Sequence, residues 1–178
     1  MKILISTILF LSLVSQCYGG VLSVGGAEMD GHSNKEGECI NPGYSIDIGY
    51  DWKLLQYNPI KYLGVSISAG GLFTYSNYET AHREYKGGKE TQQERESSVT
   101  LAGIIRPTLH VWKAYAFAMY GAGPDYAETD KFDYGWLEGK GIGFSVTNNV
   151  SIEISKRKFY RHDTGNTKHT TVSLRLEF

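Results

Sequence analysis

The most constraining feature of the sequence is the alternation of its last nine residues. One parity carries Thr170, Val172, Leu174, Leu176 and Phe178, and the positions between them are polar. A period of two is typical of a β-strand whose two faces meet different environments. A strand of a soluble sandwich alternates in the same way. This segment alone therefore predicts a strand and leaves open whether its sheet is an open sandwich or is closed on itself.

The first residues have the organisation of a secretory signal peptide. Lys2 precedes an apolar run over residues 3–14, and small residues follow at Gly19 and Gly20. The run is too short for a membrane-spanning helix, which needs about 20 residues, and a buried core helix is the alternative. We expect residues 1–19 to be a signal peptide, although the exact cleavage site stays open, and residues 20–178 to be one domain of about 160 residues.

The two cysteines do not predict a disulfide scaffold. Cys17 lies inside the expected signal peptide, so that Cys39 remains as a lone thiol. Acylation of Cys17 is a second interpretation, but Gln16 is not the small residue that such a site requires in the preceding position. No use of Cys39 follows from the sequence.

Composition excludes several classes of function. The net charge of −1 gives no basic stripe for nucleic acid, and no nucleic-acid partner is expected. The mean hydropathy of −0.30 argues against helical membrane spans, whereas barrel strands place only alternate residues on lipid. The histidines lack metal-ligand spacing, and no glycine-rich stretch lies between a strand and a helix. We therefore expect no metal and no cofactor.

Alternating segments recur along the whole chain and predict eight strands. They cover residues 20–29, 44–52, 62–75, 97–108, 114–122 and 134–146, a segment that begins at residue 150, and residues 170–178. Short connections at 55–61, 110–113 and 147–149 alternate with long polar ones at 30–42, 77–96, 123–133 and 156–168. This sorting predicts an all-β fold: an eight-stranded antiparallel transmembrane β-barrel with short periplasmic turns and long extracellular loops.

Two predicted strands leave the direction of their faces uncertain. In residues 114–122 large residues alternate with alanines, and because inward room is scarce in a narrow barrel we expect the alanines to face inward. In residues 134–146 Glu138 and Lys140 share a face with Ile142 and Phe144. Either this charged pair lies above the bilayer or a glycine bulge switches the faces.

Charged residues on the polar faces are expected to point into the barrel lumen. An eight-stranded barrel has an interior just wide enough to be filled by side chains, and opposite charges there can neutralise one another. We therefore predict a structural charge network without an open channel, and a proton or ion path is the alternative, because charges at membrane depth are usually functional. The network comprises Asp47, Asp51, Arg106, Glu153, Arg175 and Glu177.

The last third of the chain resembles a known family, the OmpX/Ail/Lom outer-membrane barrels. The resemblance rests on residues 133–136 (DYGW), on Gly139-x-Gly141-Ile142-x-Phe144, on Asn149-Val150 with Glu153 inward, on Phe178, and on residues 115–123. It implies location in the bacterial outer membrane, and adhesion to host surfaces or serum proteins, virulence or serum resistance, without enzymatic activity. We expect a monomer in contact with membrane lipids and lipopolysaccharide.

The loops are the expected contact surfaces, above all residues 78–96 and 156–168. The last loop is basic, and Arg157, Lys158, Arg161 and His162 are its candidate contact residues for sulfated glycans or lipopolysaccharide phosphates. Ordinary solubilising charge is the alternative interpretation. A rival class is a lipid A deacylase, because His162 with Thr164 faintly resembles a His–Ser site; threonine is a poorer nucleophile there.

Overall fold

The chain folds into a closed antiparallel β-barrel in which each strand pairs with its neighbours in sequence and the last pairs with the first. The computed structural model describes residues 20–30, 39–81, 93–127, 132–161 and 166–178. The predicted fold class is confirmed. Residues 1–19, the expected signal peptide, lie outside the described residues. The strands are β1 (Gly20–Asp30), β2 (Cys39–Ile60), β3 (Leu63–Ala81), β4 (Gln93–Val111), β5 (Ala114–Ala127), β6 (Phe132–Ser145), β7 (Val150–Arg161) and β8 (Thr167–Glu177).

The barrel closes where β8 lies against β1. The two strands pair from Val21 opposite Glu177 to Asp30 opposite Lys168, and the Phe178 amide donates to the Gly20 carbonyl at 3.1 Å. Closure leaves neither terminal strand with an unpaired edge along this seam. Within the described residues, no helix has the length and apolar character needed to cross a membrane.

The two ends of the barrel differ. Three tight turns lie at one end, here called the turn end. In one of them Trp112 adopts a positive φ of 56° and its amide donates to the Tyr62 carbonyl at 2.7 Å. In another, the Thr147 hydroxyl accepts the amides of Asn149 at 3.2 Å and Val150 at 3.1 Å. The strand ends that the other four connections join lie at the opposite end, here called the loop end, and residues 31–38, 82–92, 128–131 and 162–165 between them fall outside the described residues.

Several strands run further toward the loop end than predicted. β4 begins at Gln93 and β7 continues to Arg161, although long loops were expected to cover both segments. A charged run predicts the end of a strand, but here the neighbouring strands supply pairing partners for these residues. Glu96 lies opposite Tyr78, for example, and Lys158 lies opposite Lys168.

The expected direction of β5 is wrong. Tyr115, Phe117 and Met119 face the lumen and are buried, whereas the alanines between them face outward. The room comes from glycines opposite these residues on β6: a Cβ at Gly141 would lie 2.6 Å from the Phe117 ring, and one at Gly143 would lie 2.3 Å from the Tyr115 ring.

The register of β6 shows which way Glu138 and Lys140 face. β6 pairs with β5 and β7 without a register shift, so the strand contains no bulge. Its glycines occupy the inward parity, and Glu138 and Lys140 are exposed on the outer wall. The charged pair therefore faces outward in line with Ile142 and Phe144.

The outer wall is banded. Exposed aliphatic side chains, among them Ile67, Leu101, Ile105, Ile152 and Val172, form an apolar belt. Aromatic side chains flank it toward the turn end at Trp52, Tyr57, Tyr62, Trp112 and Phe144, and toward the loop end at Tyr44, Tyr126, Phe132, Tyr134 and Trp136. An apolar band between two aromatic girdles is the outer surface expected of a barrel that sits in a lipid bilayer.

Candidate functional site

A charge cluster lies inside the barrel toward the turn end and centres on Glu153. The Arg106 guanidinium donates to both carboxylate oxygens of Glu153, through Nη1 to Oε2 at 3.1 Å and through Nη2 to Oε1. Arg175 Nε lies 3.2 Å from Glu153 Oε1, and Arg175 Nη2 lies 2.9 Å from Asp51 Oδ2. The Tyr115 hydroxyl donates to Glu153 Oε1 at 2.8 Å. We call these five residues the Glu153 cluster.

The Glu153 cluster is electrically balanced and buried. Two guanidinium groups face two carboxylates, and Glu153 retains only 1% of its exposure. The Arg106 guanidinium also lies over the Phe117 ring, 3.6 Å from its centroid, where the ring face attracts the cation. Such a network holds only while every charge keeps its partner, because an unpaired buried charge is costly.

A second ion pair occupies the lumen nearer the loop end. Arg157 Nη1 donates to Asp47 Oδ2 at 2.7 Å, and the Thr171 hydroxyl donates to the same oxygen at 3.4 Å. Arg157 was expected to be an exposed contact residue of the last loop, and the structure corrects that location because Arg157 is 4% exposed inside the barrel. The alternation of β7 continues through this residue and turns it inward, toward Asp47.

The remaining predicted residues are scattered. Glu177 forms an ion pair with Lys53 at the turn-end mouth, where both side chains are partly exposed, and it stands apart from the Glu153 cluster. Lys158 faces the outer wall, with its Nζ 4.1 Å from the centroid of the Tyr160 ring. Arg161 ends β7, and its side chain lies outside the described residues, as do His162 and Thr164.

An apolar cluster lies in the lumen beside the Glu153 cluster, with which it shares Tyr115, and sequence reasoning missed it. Its members come from strands β3 to β7, and they are Leu72, Ala102, Ile104, Tyr115, Phe117, Met119, Leu137 and Phe159. The available signal was the run of glycines at alternate positions of β6, which requires large partners across the strand pair. The ion pairs and the apolar side chains are thus in contact, through Tyr115 with Glu153 and through Phe117 with Arg106.

A buried histidine joins hydroxyl groups near the loop end. His169 Nδ1 lies 3.1 Å from the Ser45 hydroxyl, and its Nε2 lies 3.2 Å from the Thr167 hydroxyl. A Ser–His contact is one element of a nucleophilic site, but Ser45 and His169 are each 2% exposed. The contact therefore packs the lumen and offers no access to a substrate.

Two further observations bear on chemistry. Among the described residues, no group of three or more His, Cys, Asp or Glu side chains is placed to hold a metal ion. The outward positions of β6, β7 and β8 carry no histidine in the part of the chain that the structure describes.

Comparisons with solved structures give the fold an independent reference. Neisserial surface protein A matches with a TM-score of 0.55 and 15% identity, over 89% of this chain and 97% of that one. The fold is that of a small outer-membrane β-barrel. The outer-membrane enzyme PagL matches with a TM-score of 0.50 and 10% identity, over 88% of this chain and 98% of that one.

A third match is Ail, the attachment invasion locus protein of Yersinia pestis, with a TM-score of 0.49 and 11% identity over 90% of this chain and 98% of that one. No family model matches the sequence, and none of the curated proteins does. At these identities the likeness concerns the fold. Because PagL is named as an enzyme, the shared fold does not decide whether this chain is one.

Proposed function

We propose that the chain is a bacterial outer-membrane protein that acts at the cell surface through the connections at its loop end, as an adhesin for host cell-surface or serum proteins, and that it is not a channel. The observation that supports this most directly is the lumen. The Glu153 cluster, the Asp47–Arg157 pair and the apolar cluster occupy it with paired or packed side chains. A filled eight-stranded barrel leaves its ends and its wall as working surfaces.

The difference between the two ends supports the choice of working surface. The turn end consists of tight, hydrogen-bonded turns, whereas the loop-end strands carry polar sequence beyond the apolar belt. In an outer-membrane barrel the longer connections face the outside of the cell. Host attachment, virulence and serum resistance remain proposals, which rest on the resemblance of the last third of the sequence.

The location is tested by fractionation. We expect the mature protein to be extracted from a Gram-negative host only with detergent and to be recovered with the outer membrane. The apolar belt supports this expectation, because a soluble protein does not leave so large an apolar surface in water. A protein that is recovered in the soluble fraction contradicts the proposed location.

The surface role is tested with displaying cells. Cells that carry the protein should bind cultured host cells or serum proteins, and replacement of residues 82–92 by a Gly-Ser linker should abolish that binding. The matched control replaces Asn148 in the turn-end connection by glycine. Retained binding in the linker variant contradicts a contact role for the part of the 78–96 segment that joins β3 and β4, and no binding by the wild type contradicts adhesion.

Conductance measurements distinguish a barrel that is closed by its lumen side chains from an open channel. We expect no stepwise current from the wild type in a planar bilayer, and we expect new conductance when Arg106 and Glu153 are both replaced by alanine, because the side chains that close the lumen are then truncated. A steady wild-type current contradicts the proposal.

A further inference from the structure

The outer wall carries a group of lysines where the belt should be apolar. Lys140 on β6, Lys156 and Lys158 on β7, and Lys168 on β8 all face outward, and together they line a groove of about 600 Å³. We call this group the lysine groove. Cationic side chains on the lipid face of a barrel are unfavourable, and increasingly so toward the middle of the bilayer. Four of them on three adjacent strands therefore need a physical reason.

The register makes the arrangement less favourable still. Lys140 lies directly opposite Lys156, and Lys158 lies directly opposite Lys168. Directly opposed side chains on one face of an antiparallel pair approach to about 5 Å between Cβ atoms, and like charges there repel. Two such pairs side by side form a concentrated positive field on the wall.

Acidic residues in register with the lysines reduce this field and are fewer than the lysines. Glu138 lies opposite Lys158 and lines the same groove, and its carboxylate accepts the hydroxyl of Tyr160. On β1, Asp30 lies opposite Lys168, and Glu28 occupies the neighbouring outward position opposite Thr170. The Lys158 ammonium rests over the Tyr160 ring. Four lysines against these three acidic residues leave the wall with an excess of positive charge.

An apolar groove lies next to the lysines on the turn-end side. It has a volume of about 610 Å³ and runs along the outward alanines of β5, between the side chains of Leu109 and Ile142. The two grooves occupy consecutive outward positions of the same strands: Ala116 is followed by Ala118, and Ile142 by Lys140. Small residues flanked by large ones leave this groove open on the outer wall, where a hydrocarbon chain can lie.

We propose that this wall binds an acyl lipid whose headgroup carries a phosphate monoester. The phosphate is held by Lys140, Lys156, Lys158 and Lys168, and one acyl chain lies along the alanines of β5. Charge complementarity selects this occupant, because phosphate oxygens accept charge-assisted hydrogen bonds from ammonium groups. The order of the grooves fits a lipid whose headgroup faces the loop end. The inference rests on the proposed membrane location and is independent of adhesion.

The test uses the protein reconstituted in phosphatidylcholine bilayers. The chain has three tryptophans, and replacement of Trp52 and Trp112 by phenylalanine leaves Trp136, outward on β6 beside the lysine groove, as the reporter. Quenching of its fluorescence by phosphatidic acid with brominated chains, relative to brominated phosphatidylcholine, measures the preference for the phosphate monoester. We expect a preference of at least about tenfold, since each lysine near a phosphate contributes about a fivefold factor.

The variants locate the site. Lys140→Gln, Lys156→Gln and Lys168→Gln together should reduce the preference to about onefold. The matched control changes as many lysines at the turn end, Lys53→Gln, Lys61→Gln and Lys113→Gln, and should keep the preference. Ala116→Leu narrows the apolar groove without any change of charge and should weaken the preference several-fold, and far-ultraviolet circular dichroism establishes that each variant is folded.

Three results overturn the proposal. They are an unchanged preference in the lysine variant, an equal loss in the turn-end control, and displacement of the brominated lipid by inorganic phosphate, which would show that the lysines bind a free anion without a chain. Protein that inserts but shows no lysine dependence contradicts this site and leaves the proposed location intact. Protein that does not insert contradicts the proposed location first.

Discussion

Replacement of Glu153 by glutamine should destabilise the barrel strongly, because this carboxylate holds two guanidinium groups at once. The substitution keeps the size of the side chain and removes its charge. Arg106 then loses its only described carboxylate partner, and Arg175 keeps Asp51 alone. Removal of one partner from a buried ion pair costs about 3–5 kcal/mol. We expect a loss near the lower figure, since Tyr115 can still donate to the amide oxygen.

Glu177→Gln is the matched control, since it also removes one carboxylate charge from the polar face of the barrel. The Lys53–Glu177 pair is 33% and 44% exposed, and exposed pairs contribute about 0–1 kcal/mol. The contrast between the two variants should therefore amount to at least about 2 kcal/mol. Equilibrium unfolding in urea, followed by tryptophan fluorescence of the barrel in lipid vesicles, measures both free energies.

A compensating variant separates lost charge balance from lost packing. Arg106→Met combined with Glu153→Leu removes one positive and one negative charge and leaves the neutral pair of Arg175 with Asp51. Replacement of a buried ion pair by apolar residues of similar volume is often neutral or stabilising. We expect the double variant to be more stable than Glu153→Gln alone. The charge-balance reasoning is refuted if Glu153→Gln and Glu177→Gln lose the same free energy of unfolding. It is also refuted if the double variant loses as much as Arg106→Met and Glu153→Leu lose separately, added together.

Two further predictions concern packing and the lipid-facing wall. Gly141→Ala should lower the free energy of unfolding by about 1–3 kcal/mol, because its Cβ would lie 2.6 Å from the Phe117 ring and 2.5 Å from the Ile154 carbonyl oxygen. Gly71→Ala, with no atom within 4 Å of its Cβ, should be close to neutral in the same unfolding assay. Equal effects would contradict the steric account of β6. Ile105→Lys places a charge in the apolar belt and should lower the free energy of unfolding in vesicles by about 2–4 kcal/mol. Trp112→Lys at the turn end should lower it by less than about 1 kcal/mol. Similar losses for the two variants would argue against a bilayer around Ile105.

The sequence predicted the strands because their alternation is local. Val172 and Leu174 face outward and Thr171 and Ser173 face inward, as the pattern of residues 170–178 requires. Alternating sequence and alternating connection lengths together sufficed for the barrel. These patterns can be recognised in a single sequence, because they do not depend on which residues lie opposite each other in the sheet.

The direction of β5 could not be obtained in that way. Both of its faces are apolar, one with alanines and one with large side chains, so the pattern predicts a strand and leaves the inward face undecided. The deciding residues are Gly141 and Gly143, which lie opposite Phe117 and Tyr115 across the sheet. Only the register shows that these glycines and the aromatic rings occupy the same space.

Arg157 shows the same limit for the candidate sites. In the sequence it stands in a basic run, and such runs are usually solvated. In the barrel its parity turns it toward Asp47, 110 positions away along the chain. The lysine groove was equally hidden, because the pairing of Lys158 with Lys168 depends on where the last hairpin aligns. Fold class follows from local period, whereas these sites follow from cross-strand alignment.

The Glu153 cluster draws its charged groups from β2, β4, β7 and β8. Arg106 and Glu153 belong to strands that do not pair with each other, so the hairpins alone do not bring them together. A partly paired sheet in the bilayer would expose charged side chains without their partners to the hydrocarbon core. Every intermediate in which β1 and β8 are unpaired would therefore be high in free energy. The barrel therefore closes and pairs its interior charges in one cooperative event. This favours insertion as an all-or-none step over strand-by-strand entry.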